Sequence, residues 1–258
     1  MTVHFIGAGP GAADLLTLRA VRLLQESPIC LYAGTYIDDE GLSHCGPETE
    51  LIDTAYLNLD AITATLVAAH DAGHDVARLC SGDPSIYSAI AEQTRRLDAA
   101  GVPWDLTPGV PAYAATAALI GRELTVPEVA QSVVLTRAQK DSTKMPPGET
   151  LAAFAATNAT LVLHLAIRHT RRLADELSAH YGANCPVVVG SQVTQPEELI
   201  LRGTLADIAD QVEAAGLTQA AVIIVGWALS AEGFVESHLY SSRPPRPAGE
   251  GRPDASLV

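Results

Sequence analysis

A strand-like run, Val3-His4-Phe5-Ile6, ends in Gly7-Ala8-Gly9-Pro10-Gly11 and continues into Asp14-Leu15-Leu16-Thr17. A glycine-rich turn placed directly after a buried strand lets backbone approach a ligand closely, and α/β proteins put their ligand crevices at such turns. The spacing is not that of a dinucleotide fingerprint. That motif needs G-x-G-x-x-G to aim backbone donors at a pyrophosphate, with an acid about 20 positions on for the ribose. Here the pattern is G-x-G-x-G, and Pro10 removes one N–H from the turn. The next apolar run, Ile29-Cys30-Leu31-Tyr32, continues into Ala33-Gly34-Thr35 with no acid at its end. A ligand without phosphate suits the turn better, while an NAD(P)-binding oxidoreductase stands as the reading from a different class.

Strand-forming runs at 3–6, 29–32, 76–79, 133–136, 161–165, 187–189 and 222–225 alternate with amphipathic stretches at 15–24, 60–72, 86–97, 171–180 and 205–215. This alternation specifies α/β architecture. Thr17 is the expected N-cap of the first helix, with Leu18, Val21 and Leu24 on one face. Pro84 suits the first turn of a helix over 86–97, and Asp83 either caps that helix or offers an acceptor to a ligand. In the second half, 186–192 and 198–203 are joined by only 193–197, which predicts an antiparallel hairpin.

Thr107-Pro108-Gly109-Val110-Pro111 interrupts the pattern before an alanine-rich segment over 112–119. A domain boundary at the end of that segment divides the chain into 1–117 and 118–240. Residues 241–258, with four prolines and two glycines, read as a disordered tail.

Composition narrows the partners. At 258 residues and 48% hydrophobic, the chain buries one large core or two modest ones. A formal net charge of −14 argues against a nucleic-acid surface, which needs clustered Lys and Arg. It does not argue against a small polyanion, because charges beyond roughly 8 Å are screened at physiological salt. No apolar run reaches the roughly 18 residues of a membrane span, and the start resembles no leader, so a cytoplasmic protein with no membrane partner is expected. Cys30, Cys45, Cys80 and Cys185 lie far apart with no C-x-x-C pair, so their spacing specifies neither a zinc site nor a disulfide framework, and three of them sit in or beside apolar strand-like runs, as buried reduced thiols would. His70 and His74 have helical ligand spacing, but Gly73 lies between them and no carboxylate partner motif follows, so no metal site is expected. Hydrolase, NTPase and metalloprotease signatures are absent from the sequence.

Four segments follow directly on strands: 7–11, Cys80-Ser81-Gly82-Asp83-Pro84-Ser85-Ile86-Tyr87, 107–112 and His164-Leu165-Ala166-Ile167. Together they resemble the tetrapyrrole methylases, the S-adenosyl-L-methionine (SAM)-dependent family of sirohaem and cobalamin synthesis. In that family Gly-Ala-Gly-Pro-Gly with Leu-Leu-Thr, a Gly-Asp-Pro loop, a Pro-Gly-Val segment and a late Gly-Thr-Leu recur in this order, and the match runs from Val3 to about Leu239. Leu31-Tyr32-Ala33-Gly34-Thr35, Arg122-Glu123-Leu124-Thr125-Val126-Pro127-Glu128, Val134-Leu135-Thr136-Arg137 and Ser237-His238-Leu239-Tyr240 resemble the branch that methylates precorrin-4 at C11. Relatives acting on uroporphyrinogen III, precorrin-2 or precorrin-3 are the alternative within the family.

The resemblance implies two α/β domains with SAM in the cleft between them, S-adenosyl-L-homocysteine as product, and a homodimer. It carries the cofactor contacts onto Pro10, Ser81, Gly82, Asp83, Ile86, Pro111, Ala112, Leu165 and Val193. Ser81, Pro111 and Leu165 depart from the Gly, Thr or Ser, and Met frequent in relatives. Methyl transfer from a sulfonium needs alignment more than a protein nucleophile, and alignment supplies on the order of 7–11 kcal/mol. Asp83 is the candidate catalytic group, offsetting charge at sulfur. The substrate implied is a polycarboxylate tetrapyrrole, for which Arg122 and Arg137 are candidate carboxylate ligands and Tyr32 a stacking surface. Lys140 and Lys144 lie in a polar loop over 138–148 long enough to close over a ligand.

Overall fold

The computed structural model describes residues 1–34, 37, 39–138 and 144–237. Thr35, Lys140, His238, Leu239, Tyr240 and the expected tail at 241–258 lie outside the described residues. The first half alternates strand and helix: β1 (Val3–Gly7), α1 (Leu18–Glu26), β2 (Ile29–Tyr32), α2 (Asp39–Leu42), β3 (Glu50–Asp53), α3 (Leu59–Asp71), β4 (Val76–Cys80), α4 (Ile90–Ala100) and β5 (Trp104–Thr107). These strands form a parallel sheet in the order β3-β2-β4-β1-β5.

Both faces of this sheet are covered, which is why its central strands read as continuous apolar runs. On one face Val3, Phe5, Leu31, Val76 and Cys80 pack against Ile62 and Leu66 of α3 and Leu97 of α4. On the other, Ile6, Cys30, Ala77 and Leu79 meet Ala20, Leu23 and Leu24 of α1. Burying each such leucine contributes about 1.5–3 kcal/mol. The Thr17 side chain accepts from Ala20 N at 3.1 Å, as expected of the cap. The buried face of α1 is not the expected one, however. Leu18 is 90% exposed, because the helix starts after a short turn at Ala13–Leu15 and presents Ala20, Leu23 and Leu24 inward instead.

α4 also begins later than expected, at Ile90. Tyr87 (φ 57°) and Ala89 (φ 52°) are left-handed and stop a helix from running back to Pro84, which sits in a turn of its own.

The second half contains α5 (Ala112–Ile120), β6 (Val133–Arg137), α6 (Leu151–Ala155), β7 (Thr160–His164), α7 (Thr170–Tyr181), β8 (Pro186–Ser191), β9 (Leu199–Thr204), α8 (Ile208–Ala214) and β10 (Ala221–Val225). Its sheet runs β6-β7-β10-β8-β9, with β6 and β7 parallel and the other neighbours antiparallel. β8 and β9 form the expected hairpin, paired from Pro186 with Thr204 to Ser191 with Leu199. Helices α7 and α8 cover one face of the sheet. On the other face, Ala112, Tyr113, Ala117 and Ile120 of α5 pack against Val162, Val188, Val222 and Ile224. Gly190 permits that approach, since a Cβ there would lie 2.5 Å from the Thr116 hydroxyl.

Candidate active site

The turns after β1, β4 and β5 interlock through their main chains at the carboxyl end of the first sheet. Ala8 N donates to Cys80 O at 2.8 Å, and Gly9 and Gly82 exchange two hydrogen bonds at 3.2 and 2.8 Å. A Cβ on Gly7 would lie 2.4 Å from Gly109 N, and one on Gly109 would lie 2.3 Å from Gly82 O. Only glycines allow such contact. Gly82 differs from these two: its φ is +66°, and a Cβ there would meet only Pro111 Cα, at 3.8 Å, within a 4 Å radius. Its free side faces the cleft that these turns floor.

Asp83 holds the turns together. One carboxylate oxygen accepts from Ser85 N at 2.9 Å and from the Ser85 hydroxyl, and the other accepts from Gly109 N at 2.9 Å. Partial burial pushes this carboxyl up, but the Ser85 and Gly109 donors more than offset that and hold it below the ordinary carboxylate value. Asp83 is therefore ionised, and it does not cap α4, which begins seven residues later at Ile90.

The facing wall belongs to the second sheet: the end of β7, the turn after β8 and the start of β10. Between the walls lies a cleft of about 650 Å³, a size suited to a small-molecule ligand. Ser81, Gly82, Asp83, Ile86, Pro111, Ala112, Leu165 and Val193 all line it. Pro10 is not among the lining residues; it is joined to the cleft wall only through Gln195, whose side chain donates to the Pro10 carbonyl at 3.1 Å.

The expected substrate residues are arranged differently. Tyr32, Arg122 and Arg137 are not among the lining residues, although Ala33, next to Tyr32, is. Arg122 donates to Ala231 O at 3.4 Å on an exposed surface. Arg137, at the end of β6, donates to Ala138 O at 3.4 Å; burial pushes the Tyr87 phenol up, and the Arg137 charge offsets only part of that. Lys144 is exposed.

Other lining residues complete the site. His164 is flanked by Tyr87, with ring centroids 5.3 Å apart, and by Tyr113, edge-on at 6.4 Å. Burial lowers its pKa, so the imidazole is neutral at physiological pH. Its Nε2 is the one buried side-chain polar atom among the described residues without a hydrogen-bond partner. Cys80 is pushed up to about 11, chiefly by burial, and stays a thiol. Arg78, from the middle of β4, also reaches the lining. Tyr87, Ala89, Leu165, Gln192 and Ala220 line the cleft in the left-handed region. Such conformations cost about 1–3 kcal/mol each and gather where a ligand needs a preformed seat.

Comparison with known proteins gives this geometry a context. The family model of the tetrapyrrole (corrin/porphyrin) methylases matches residues 2–209. A precorrin-4 C(11)-methyltransferase of Rhodococcus erythropolis is 56% identical over 242 residues, covering 94% of this chain and 97% of that one. Among solved structures, a cobalt precorrin-4 methyltransferase superposes with a TM-score of 0.86 at 35% identity, over 89% of this chain and 96% of the other. A uroporphyrin-III C-methyltransferase from Thermus thermophilus, in complex with S-adenosyl homocysteine, superposes with a TM-score of 0.75 at 26% identity, over 89% and 94% of the two chains.

Proposed function

Because this chain belongs to the tetrapyrrole (corrin/porphyrin) methylases, we propose that it transfers a methyl group from SAM to C11 of precorrin-4, giving precorrin-5. The observation that carries this reading is the likeness, over nearly the whole chain, to a protein named for that reaction. The higher identity to that relative than to the cobalt precorrin-4 enzyme favours the metal-free substrate.

The residues suit such a donor. The turn after β1 lacks an N–H at Pro10 and the spacing that cradles a pyrophosphate, the Gly82 backbone is open to the cleft, and Asp83 is an ionised carboxylate beside the proposed donor seat. Ser81, Gly82, Asp83, Ile86, Pro111, Ala112, Leu165 and Val193 form that seat, with Pro10 outside the lining and tied to it through the lining residue Gln195. When bound, SAM supplies a methyl group made electrophilic by the sulfonium. The protein's part is alignment: interlocked main chains fix the donor's position, and the apolar side chains of Ile86, Leu165 and Val193 exclude water from the path. Asp83 acts mainly by holding the turns in register, and its charge offsets the cationic sulfur at longer range. Tyr32, Arg122 and Arg137 lie outside the lining and are assigned to the approach of the acidic tetrapyrrole.

The same reading takes the chain as two α/β units, 1–117 and 118–240, although that boundary falls within α5, which packs on the second sheet; the chain acts in the cytoplasm as a homodimer without a nucleic-acid or membrane partner. No described helix is long and apolar enough to cross a membrane. Incubation with SAM and, separately, precorrin-4, cobalt-precorrin-4 and uroporphyrinogen III tests the assignment by mass spectrometry. One added methyl on precorrin-4 is expected; methylation of uroporphyrinogen III alone would overturn it. Titration calorimetry should show S-adenosyl-L-homocysteine binding, and tight NADH binding without it would return the chain to the oxidoreductase class. Sedimentation equilibrium checks the dimer.

A further inference from the structure

Arg78 is a buried cation with no counter-charge among the described residues. It stands in the middle of β4, 8% exposed, between Val76 and Cys80 on the face that packs against α3 and α4. Its guanidinium donates from Nε to Gln93 Oε1 at 3.4 Å and from Nη1 to Thr54 Oγ1 at 3.1 Å. Both partners are neutral. Among the described residues no carboxylate forms an ion pair with it, although the chain carries 30 Asp and Glu against 16 Lys and Arg. The nearby Cys80 and Cys30 are both pushed up as thiols and supply no counter-charge.

An arginine cannot relieve its burial by losing a proton, and a buried charge without an opposite partner is costly. The head of Arg78 is nevertheless held in place. Gln93 donates from Nε2 to Ser88 O at 3.4 Å and to Ala89 O at 3.3 Å, which turns its own oxygen toward Arg78. Nη2 has no partner among the described residues, yet it is not a buried orphan, and Arg78 lines the cleft. A guanidinium fixed at Nε and Nη1, with Nη2 unpartnered among the described residues, on a side chain that lines a cavity, suits a carboxylate.

We infer that Arg78 binds a carboxylate of the tetrapyrrole substrate within the cleft and thereby fixes which way the macrocycle lies. This rests on the functional reading above. Two carboxylate sources share the chemistry: a side arm of the tetrapyrrole and the amino-acid end of SAM. Placement favours the first, because the guanidinium leans toward Thr54, beyond the end of β3, whereas the proposed donor seat is built on the turns after β1, β4 and β5. The occupant completes an ion pair that the described residues do not supply.

The test compares wild type with Arg78→Met, which keeps the length and removes the charge, and Arg78→Lys, which keeps the charge and loses the fork. Precorrin-4 turnover gives KM and kcat, calorimetry gives the S-adenosyl-L-homocysteine Kd, and thermal melting gives Tm. Arg78→Met should raise KM for precorrin-4 about tenfold or more, with kcat within about threefold. The homocysteine Kd should stay within about twofold, and Tm should hold or rise as a buried charge is removed. Arg78→Lys should fall between the two. An unchanged KM overturns the inference, as does a Kd that worsens in step with KM, which would give the carboxylate to the cofactor. A fall in Tm that accounts for the lost activity would make Arg78 structural. Failure of wild type to methylate precorrin-4 would instead sink the functional reading, and the inference with it.

Discussion

The Gln195 side-chain amide donates to the Pro10 carbonyl at 3.1 Å, joining the turn after β8 to the turn after β1. A second bond, from Ala12 N to the Thr194 hydroxyl at 3.0 Å, lies beside it. The glycine turn is thus clamped by the opposite sheet. Gln195→Ala should cost about 1 kcal/mol of stability, while weakening S-adenosyl-L-homocysteine binding several-fold by freeing that turn. Gly11→Ala should act in the same direction, since its Cβ would lie 2.3 Å from Gln195 Cγ. Calorimetry and melting curves on both variants check this; unchanged affinity would make the clamp irrelevant to the cofactor.

Gly82 and Gly109 are expected to fail in different ways. Gly109→Ala drives a methyl into Gly82 O at 2.3 Å and Gly7 Cα at 2.8 Å, both backbone, so little or no folded protein should be recovered. Gly82→Ala places its methyl at ordinary contact with Pro111 Cα, 3.8 Å away, and carries only left-handed strain of about 1–2 kcal/mol. It should fold and bind S-adenosyl-L-homocysteine at least about tenfold more weakly, because the methyl occupies room proposed for the ligand; Gly82→Val should abolish binding. Circular dichroism and calorimetry separate the two effects.

Asp83→Ala strands the Gly109 and Ser85 donors and should cost about 1–3 kcal/mol. Asp83→Asn keeps one carbonyl oxygen and should lose less. Because hydrogen bonds hold the Asp83 pKa below its ordinary value, its stabilisation is complete above the unfolded carboxylate value and is lost as pH falls through the lower folded value. Denaturant unfolding of wild type and Asp83→Ala should therefore converge toward strongly acidic pH and differ most near neutrality. A pH-independent gap would assign the stabilisation to something other than the ionised carboxylate.

His164 responds in a different window. Burial lowers its pKa from an ordinary value of about 6.5. The folded form then binds fewer protons in acid than the unfolded form, so stability is undiminished above that value and declines as pH falls below it. Between about pH 7.5 and pH 5.5, Tm should drop less in His164→Gln than in wild type. Equal drops in the two proteins would mean the imidazole protonates freely in the folded state.

The most legible elements were those whose pattern is local. β1, β2 and β4 are buried on both faces and stand out as apolar runs, and the β8–β9 hairpin follows from its short connection. β3 and β5 did not stand out: they are four-residue edge strands carrying Glu50, Asp53 and Asp105, which blur any two-residue period. The helix expected from residue 86 was displaced because left-handed backbone at Tyr87 and Ala89 has no reliable signature in non-glycine residues. The turns of the cleft could be located because glycine and proline mark them. The clamp could not, since Gln195 and Pro10 lie 185 positions apart. Arg78 was visible only as an interruption in an apolar strand, and its sequence neighbours carry no information on where its guanidinium emerges.

Where Gly7, Gly82 and Gly109 meet, the cleft rests on bare peptide. Such a base offers an unvarying set of amide and carbonyl groups regardless of the residues around it, so the seat for a common reagent can be inherited unchanged while the walls diverge. Redirecting this scaffold to a new acceptor is therefore a matter of altering the sides, at positions such as Arg78, Tyr87 and His164, and leaving the three glycines untouched.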